Sequence, residues 1–193
     1  MPLPSPTSRR ALKHTRAIQV EAFARDDGLW DIDAHITDIK TRATQLASGT
    51  RAAGSPIHDL WVRLTVDTQF NIIAADAVSD AVPYPGFCDT IGPAYKKLVG
   101  LNLLKGFREG VRHRLSGIQG CTHLTELAQV LPTAVVQAFA GDVLDTRDGA
   151  SADEQSHKPF QLDRCHALRT DGEAVAKYYP RWAVKSLAES ESS

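Results

Sequence analysis

The chain has 193 residues, of which 42% are hydrophobic and 23% charged, an ordinary composition for a folded globular protein. Its 22 basic and 23 acidic residues leave a formal net charge of -1, so no excess of positive charge indicates binding to nucleic acid or an anionic membrane. No apolar run approaches the roughly 20 residues of a membrane-spanning helix, and the N-terminus lacks the apolar stretch of a secretory signal. We therefore expect a cytoplasmic protein whose partner is a small-molecule substrate.

The first ordered element is predicted to be a β-hairpin over residues 14–40, because apolar residues alternate on both sides of a turn at Asp27-Gly28. The register set by this turn places Arg16 opposite Asp38 on the core side. At a partly buried position each of these two charges needs the other as its partner, because an unpaired buried charge is costly.

A second hairpin is predicted within residues 57–78, after a Gly- and Ser-rich segment, residues 45–56, that is predicted to be a loop. The two-residue period of the first strand places His58 on its core face and Asp59 on the opposite face.

Helical spacing replaces the alternation from about residue 91 onward. Thr122 is a suitable N-cap residue for a long apolar helix, in which Pro132 is expected to cause a kink or a restart. A short helix is predicted around Glu173 to Tyr179. Strands followed by helices predict an α+β fold, an antiparallel β-meander of two hairpins followed by covering helices.

The domain organisation predicted from these patterns is a single α+β domain over residues 14–183. A flexible arm, residues 1–13, precedes it, and a disordered tail, residues 184–193, follows it. A loop insertion at about 146–158 lacks any apolar face.

The candidate chemistry lies in cysteines and histidines that follow Pro or Gly at junctions between elements. Thiolate and imidazole groups are ligands that suit zinc, iron or copper, and the three cysteines include no C-x-x-C pair, so the fold would have to assemble the site. The predicted metal ligands are His58, Cys88, Cys121 and His123, and the predicted cofactor is a divalent metal, zinc or iron.

The predicted catalytic residues are His123, as a general base if it is not a ligand, and Asp59, which would orient a ligand histidine. The Arg16–Asp38 pair is an alternative for that orienting role, although an ion pair that stabilises the fold is the simpler interpretation. A metal with an open position would activate water or polarise a carbonyl group.

Three alternatives remain open at this stage. Cys121 at a helix N-terminus is a candidate nucleophile toward an acyl thioester, with His123 or His58 as its base, because the helix dipole favours a thiolate. A scaffold or sulfur-acceptor module would be a non-enzymatic function. The cysteines and His58 also fit the interpretation of ordinary core residues.

Several stretches resemble the bacterial domain-of-unknown-function family 2889, from His14 to Trp182: HTRAIQVEAFARDDGLWDIDAHITDIK, GSPIHDLWVRLTVD, VPYPGFC, GCTHLTEL and KPFQLDRCHALRTDGEAVAKYYPRW. Genes of such proteins often lie beside genes for aromatic-acid and acyl-CoA catabolism. The resemblance therefore implies a lyase- or hydrolase-type enzyme that acts on a small aromatic acid or an acyl-CoA derivative.

A more distant resemblance is to the layout of iron–sulfur scaffold proteins of the NifU and SufU type, which also have a short antiparallel sheet followed by helices. In that layout His58, Cys88 and Cys121 would take the places of three cysteine ligands, with Asp59 near the aspartate. A site with fewer thiolates suits a single zinc or iron ion better than a cluster, which is normally held by cysteines.

Overall fold

The computed structural model describes residues 3–146 and 158–184, and its main feature is a four-stranded antiparallel sheet. The strands of the described residues, in chain order, are β1 (His14–Ala24), β2 (Trp30–Lys40), β3 (Thr44–Leu46), β4 (Gly49–Arg51), β5 (Pro56–Val66) and β6 (Ile72–Ala81). The large sheet has the order β1-β2-β5-β6, while β3 and β4 form a separate two-stranded hairpin.

The register of the first hairpin is the predicted one, with Arg16 paired with Asp38. Gly28 has a positive φ of 81°, a conformation that a residue with a side chain rarely adopts and that closes the turn after β1. A tight turn fixes the alternation of both strands, which is why the register could be predicted from the sequence.

The segment 45–56, predicted to be a loop, contains β4, most of β3 and the start of β5, so that prediction was wrong. Strands of three residues are too short to show hydrophobic alternation. The small hairpin is joined to the chain after β6, where the Arg51 guanidinium donates to the Val82 carbonyl at 2.9 Å and the Ser48 hydroxyl donates to the Pro83 carbonyl.

Helices follow the strands, so the predicted α+β class is confirmed. The α-helices are α1 (Phe107–Leu115), α2 (Thr122–Phe139) and α3 (Glu173–Tyr178), and the 3₁₀ helices are Cys88–Leu98, Gly117–Gln119 and Pro180–Trp182. Helix α2 begins at Thr122, which is therefore its first residue and not the predicted N-cap, and it continues through Pro132 without a restart. No described helix is both long and apolar enough to cross a membrane.

The core lies on the side of the sheet formed by the even-numbered residues of β2 and β5, as their alternation requires. The side chains buried there and in the helices that follow include Ile32, Ala34, Ile36, Leu60, Val62, Leu64, Tyr95, Leu98, Val111, Leu115, Leu124, Leu127 and Leu131. At one end of this apolar surface lies a buried carboxylate, Asp38, which is 4% exposed.

The chain divides into two compact units, residues 1–135 and 136–193. Within the second unit, the side chains of Phe139, Leu162 and Val175 are buried. The predicted single domain 14–183 stays a prediction. The predicted loop insertion and tail lie almost entirely outside the described residues, whereas residues 3–13 of the predicted arm contain neither helix nor strand.

Candidate functional site

The buried carboxylate of Asp38 is the centre of a polar cluster. Its Oδ1 accepts hydrogen bonds from Arg16 Nε at 2.9 Å and His14 Nε2 at 2.8 Å. Its Oδ2 accepts from Arg16 Nη2 at 2.8 Å and His58 Nδ1 at 3.0 Å. Burial alone would raise the pKa of Asp38, but the hydrogen bonds from Arg16 and His14 and the nearby positive charge outweigh it and hold the pKa at about 2.

Strand pairing brings these groups together. Asp38 of β2 pairs with Arg16 of β1 on one side and with His58 of β5 on the other. Residues directly opposite each other on neighbouring strands share a face, so the three side chains form a row across the core side of the sheet. The other end of the Arg16 guanidinium donates from Nη1 to Glu126 Oε2 at 2.9 Å, which links β1 to α2.

A second histidine comes from the first turn of α2. The imidazole rings of His58 and His123 lie 3.7 Å apart with an interplanar angle of 30°, and His123 Nε2 lies 3.6 Å from Asp38 Oδ2. Asp38, His58 and His123 each offer one ligand atom within 4.8 Å of the others, so this group has the composition and spacing to hold a metal ion. Burial, followed by the charge of His123, lowers the pKa of His58, which favours the neutral imidazole that metals bind.

Cys121 precedes α2 and faces His123, with Sγ 4.0 Å from Nδ1. Burial would raise the pKa of this thiol, but the hydrogen bond from His123 and the backbone N–H groups of Leu124 and His123 outweigh burial and lower it. The buried Tyr95 fixes this turn: its hydroxyl donates to the Cys121 carbonyl at 2.8 Å and accepts the Cys121 N–H at 3.1 Å.

A cavity of about 330 Å³ lies beside these groups, within the size range of small-molecule sites. Its lining consists of His58, Leu60, Ser79, Val82, Phe87, Cys88, Ile91, Gly120, Cys121, Thr122 and His123. All four residues predicted from the sequence as metal ligands thus line one cavity.

Asp59, the other residue predicted to be catalytic, is not among the residues that line this cavity. Its carboxylate accepts a hydrogen bond from His35 Nε2 at 2.6 Å, and the His35 ring stacks on Trp61 at 3.8 Å. This arrangement agrees with the strand period, which places Asp59 on the face opposite His58. Its catalytic role stays a prediction that the placement does not support.

Sequence reasoning missed the central position of Asp38 and the contact of His14 with it. The first hairpin placed Arg16 opposite Asp38, and the second placed His58 on a core face, but nothing showed that β2 and β5 are neighbours. The pairing of Asp38 with His58 across β2 and β5 could therefore not be predicted. Cys165, another thiol that the sequence left unassigned, is exposed and belongs to the second unit.

The family model described as "Protein of unknown function (DUF2889)" matches residues 14–137. The matched range begins at His14 and extends into α2, so it includes every residue that contacts Asp38 or lines the cavity. Neither a curated protein nor a solved structure matches the chain.

Proposed function

The chain belongs to the DUF2889 family of proteins of unknown function, and we propose that its Asp38-centred cavity binds a divalent metal ion, zinc or iron, as part of an enzyme site. The observation that carries this proposal is the arrangement of two imidazoles and two thiols around one cavity, with a buried carboxylate behind the imidazoles. The proposed reaction is a hydrolysis or elimination on a small acyl or aromatic-acid derivative.

The tautomer of His58 supports its role as a ligand. The Asp38 carboxylate is ionised and only accepts hydrogen bonds, so the His58 Nδ1 that contacts it at 3.0 Å carries the proton. The Nε2 atom of the neutral ring is then the one with the free lone pair. A carboxylate that holds a histidine in this way is a common partner of metal-binding imidazoles.

Cys121 and His123 have a separation that suits two ligands of one ion. In a tetrahedral zinc site with Zn–S of about 2.3 Å and Zn–N of about 2.0 Å, sulfur and nitrogen lie roughly 3.5 Å apart. The distance between Cys121 Sγ and His123 Nδ1 is 4.0 Å, so a shift of about half an ångström would satisfy that geometry.

Asp38 is better suited to orient ligands than to bind the ion directly. Its two oxygens already accept four hydrogen bonds from Arg16, His14 and His58, and a metal would have to displace one of these donors. We assign it the orienting role that the sequence had suggested for Asp59 or for the Arg16–Asp38 pair.

His58, Cys121 and His123 would then provide three ligands and leave a position open toward the cavity, the arrangement of catalytic rather than structural zinc sites. The metal would supply a Lewis acid and a bound water of lowered pKa. Cys88 faces the same cavity from the 3₁₀ helix Cys88–Leu98 and is either the fourth ligand of a closed site or a neighbour of the open position.

The test is elemental analysis of protein purified without a metal-binding affinity tag. We expect about one equivalent of zinc or iron in the parent protein, and its loss in both His58→Ala and Cys121→Ala. His35→Ala is the matched control, because it removes a strand histidine that also pairs with an aspartate but lies on the opposite face. A parent protein that holds no metal after incubation with zinc or ferrous iron contradicts the proposal.

A second candidate function is favoured by the lowered pKa of the Cys121 thiol. The thiolate would attack the carbonyl carbon of a thioester and expel the substrate thiol, and water would then release the acid and restore the cysteine. Thioester hydrolysis that continues in the presence of a chelator and stops in Cys121→Ser would favour this mechanism over the metal-dependent one.

The iron–sulfur scaffold alternative rests on the likeness in layout alone. Clusters are held mainly by cysteine thiolates, and the cavity has two, Cys88 and Cys121. A single metal ion suits this mixed set of ligands better.

A further inference from the structure

The residues that follow the sheet are much more basic than the chain as a whole. Residues 90–120 contain six lysines and arginines and a single acid, Glu109, although the whole chain has a net charge of -1. Arg108 and Arg112 on α1 are exposed, as are Lys96 and Lys97 at the end of the 3₁₀ helix Cys88–Leu98. A concentrated charge of one sign raises the local concentration of ligands of the opposite sign.

Lys97 connects this charge to the cavity. Its ammonium group donates a hydrogen bond to Gln119 Oε1 at 3.3 Å, and Gln119 is followed directly by Gly120, which lines the cavity. Given the length of one side chain and one residue step, the ammonium lies at most on the order of 10 Å from Gly120. The Arg114 guanidinium lies beside the backbone of Lys97, since its Nη1 atom donates to the Lys97 carbonyl at 2.6 Å.

The cavity has apolar lining residues as well as its thiols and imidazoles. These apolar residues, here called the apolar wall, are Leu60, Val82, Phe87 and Ile91. Phe87 is 80% exposed, although it lines a cavity, so much of its apolar surface is available to a ligand. Burial of such surface is favourable by roughly 25 cal/mol per Å².

We propose that the cavity binds an amphipathic organic anion, whose acyl or aryl group lies against the apolar wall while its negatively charged group extends to Lys97. This inference rests on the proposed function, because it names the substrate class of the same site. A membrane surface is the less suitable occupant: the apolar residues of the basic helix α1, Phe107, Val111 and Leu115, are buried and not available to a bilayer.

The test uses two fluorescent probes that differ by one charged group: 8-anilinonaphthalene-1-sulfonate and its neutral analogue N-phenyl-1-naphthylamine. Both are titrated into chelator-treated protein, so the outcome does not depend on metal binding. We expect the sulfonate to bind more tightly than the neutral probe, and its affinity to fall with added salt, because the charges interact through solvent.

Three variants locate the probe. Phe87→Ala is expected to weaken both probes. Lys97→Gln is expected to weaken the sulfonate alone, by about threefold, the size typical of an exposed charge pair. Lys105→Gln is the matched control and is expected to change neither affinity. Lys105 pairs with Asn102 near the start of β6, roughly 25 Å along that strand from the cavity residues at its other end.

Equal effects of Lys97→Gln and Lys105→Gln, or equal affinities of the parent protein for the two probes, would overturn the inference. Sedimentation with phosphatidylserine vesicles tests the alternative that the protein binds a membrane surface. If Phe87→Ala and Lys97→Gln weaken vesicle binding but leave the affinities of both probes unchanged, Phe87 and Lys97 form a membrane-binding surface. The inference is then wrong. If the parent protein binds no metal but the two probes behave as expected, the proposed metal site is rejected while the proposed class of ligand is supported.

Discussion

The imidazole rings of His58 and His123 lie 3.7 Å apart, tilted by 30° to each other, beside the buried and ionised carboxylate of Asp38. Two protonated imidazoles at this distance would repel each other, and burial already lowers the pKa of His58. The lowered pKa of His58 favours its neutral ring, which has a lone pair available for a metal ion or a proton.

Replacement of the central carboxylate should destabilise the protein. Asp38→Asn removes the charge that pairs with Arg16 and leaves the donors of Arg16, His14 and His58 poorly matched. We expect the free energy of unfolding to fall by about 2 kcal/mol, less than for a fully buried pair because Arg16 is partly exposed. Urea denaturation followed by circular dichroism measures it.

Asp33→Asn is the control for that variant. Asp33 forms a similar two-bonded pair with Arg63, but on the outer face, where the Arg63 side chain is 56% exposed. The expected loss is under about 1 kcal/mol. Equal losses in the two variants would show that the Asp38 cluster is no more important to stability than a surface ion pair.

Acid should remove the contribution of Asp38. Its pKa in the folded protein is about 2, below the ordinary value of 3.8, so ionisation stabilises the folded state. That contribution, about 2 kcal/mol, is complete above about pH 5 and is lost as the pH falls toward 2. The difference in unfolding free energy between the parent and Asp38→Asn should therefore shrink between pH 5 and pH 2. A difference that stays constant over this range would refute the low pKa.

The thiol of Cys121 should react with iodoacetamide at lower pH than an ordinary cysteine. Its pKa lies below the usual 9.0 because the hydrogen bonds from His123 and two backbone amides outweigh burial. In a Cys88→Ser, Cys165→Ser background, we expect the midpoint of the rate against pH to lie below 9. His123→Ala should move the midpoint upward, since burial then acts with less opposition. An unchanged midpoint would mean that His123 does not stabilise the thiolate.

Gly92 holds one wall of the cavity close to the sheet. A methyl group at this position would overlap the backbone carbonyl oxygen of Ala77 in β6, and backbone cannot move aside cheaply. Gly92→Ala should lower the free energy of unfolding by about 2 kcal/mol and displace the 3₁₀ helix that carries Cys88 and Ile91.

Gly110→Ala provides the comparison. A methyl group there meets only the end of the Leu101 side chain, which can rotate, and alanine favours the helix by about 0.5–1 kcal/mol. The expected change is within about 1 kcal/mol of the parent. Thermal melts of both variants separate the two cases, and a loss at Gly110 as large as at Gly92 would contradict the backbone argument.

The sequence was informative wherever a local pattern determines structure. The Asp27-Gly28 turn set the register of the first hairpin, and the period of two placed His58 and Asp59 on opposite faces. The predicted N-cap, Thr122, marked the start of α2 to within one residue. These features depend on residues close together in the chain, whose geometry is fixed by turn type and alternation.

The part of the candidate site that could not be predicted depends on contacts between distant segments of the chain. The pairing of β2 with β5 makes Asp38 a neighbour of His58, and the position of α2 brings His123 to the same carboxylate. Neither relation leaves a periodic signal in the sequence. The four candidate ligands were chosen by residue type at junctions, and the cavity that they share depends on how strands and helices pack.

The contact between Arg16 and Glu126 spans 110 residues of chain, which bears on how the protein is made. At roughly 5–20 residues per second, a ribosome delivers β1 at least several seconds before it delivers α2. During that interval the nascent chain contains Asp38 without the helix that contributes His123 and Cys121. A metal ion that arrived early would encounter only His58 and Cys88 among its predicted ligands. The full set of proposed ligands therefore exists only once α2 has been synthesised, so a metal ion would bind after that step and not when the first hairpin forms.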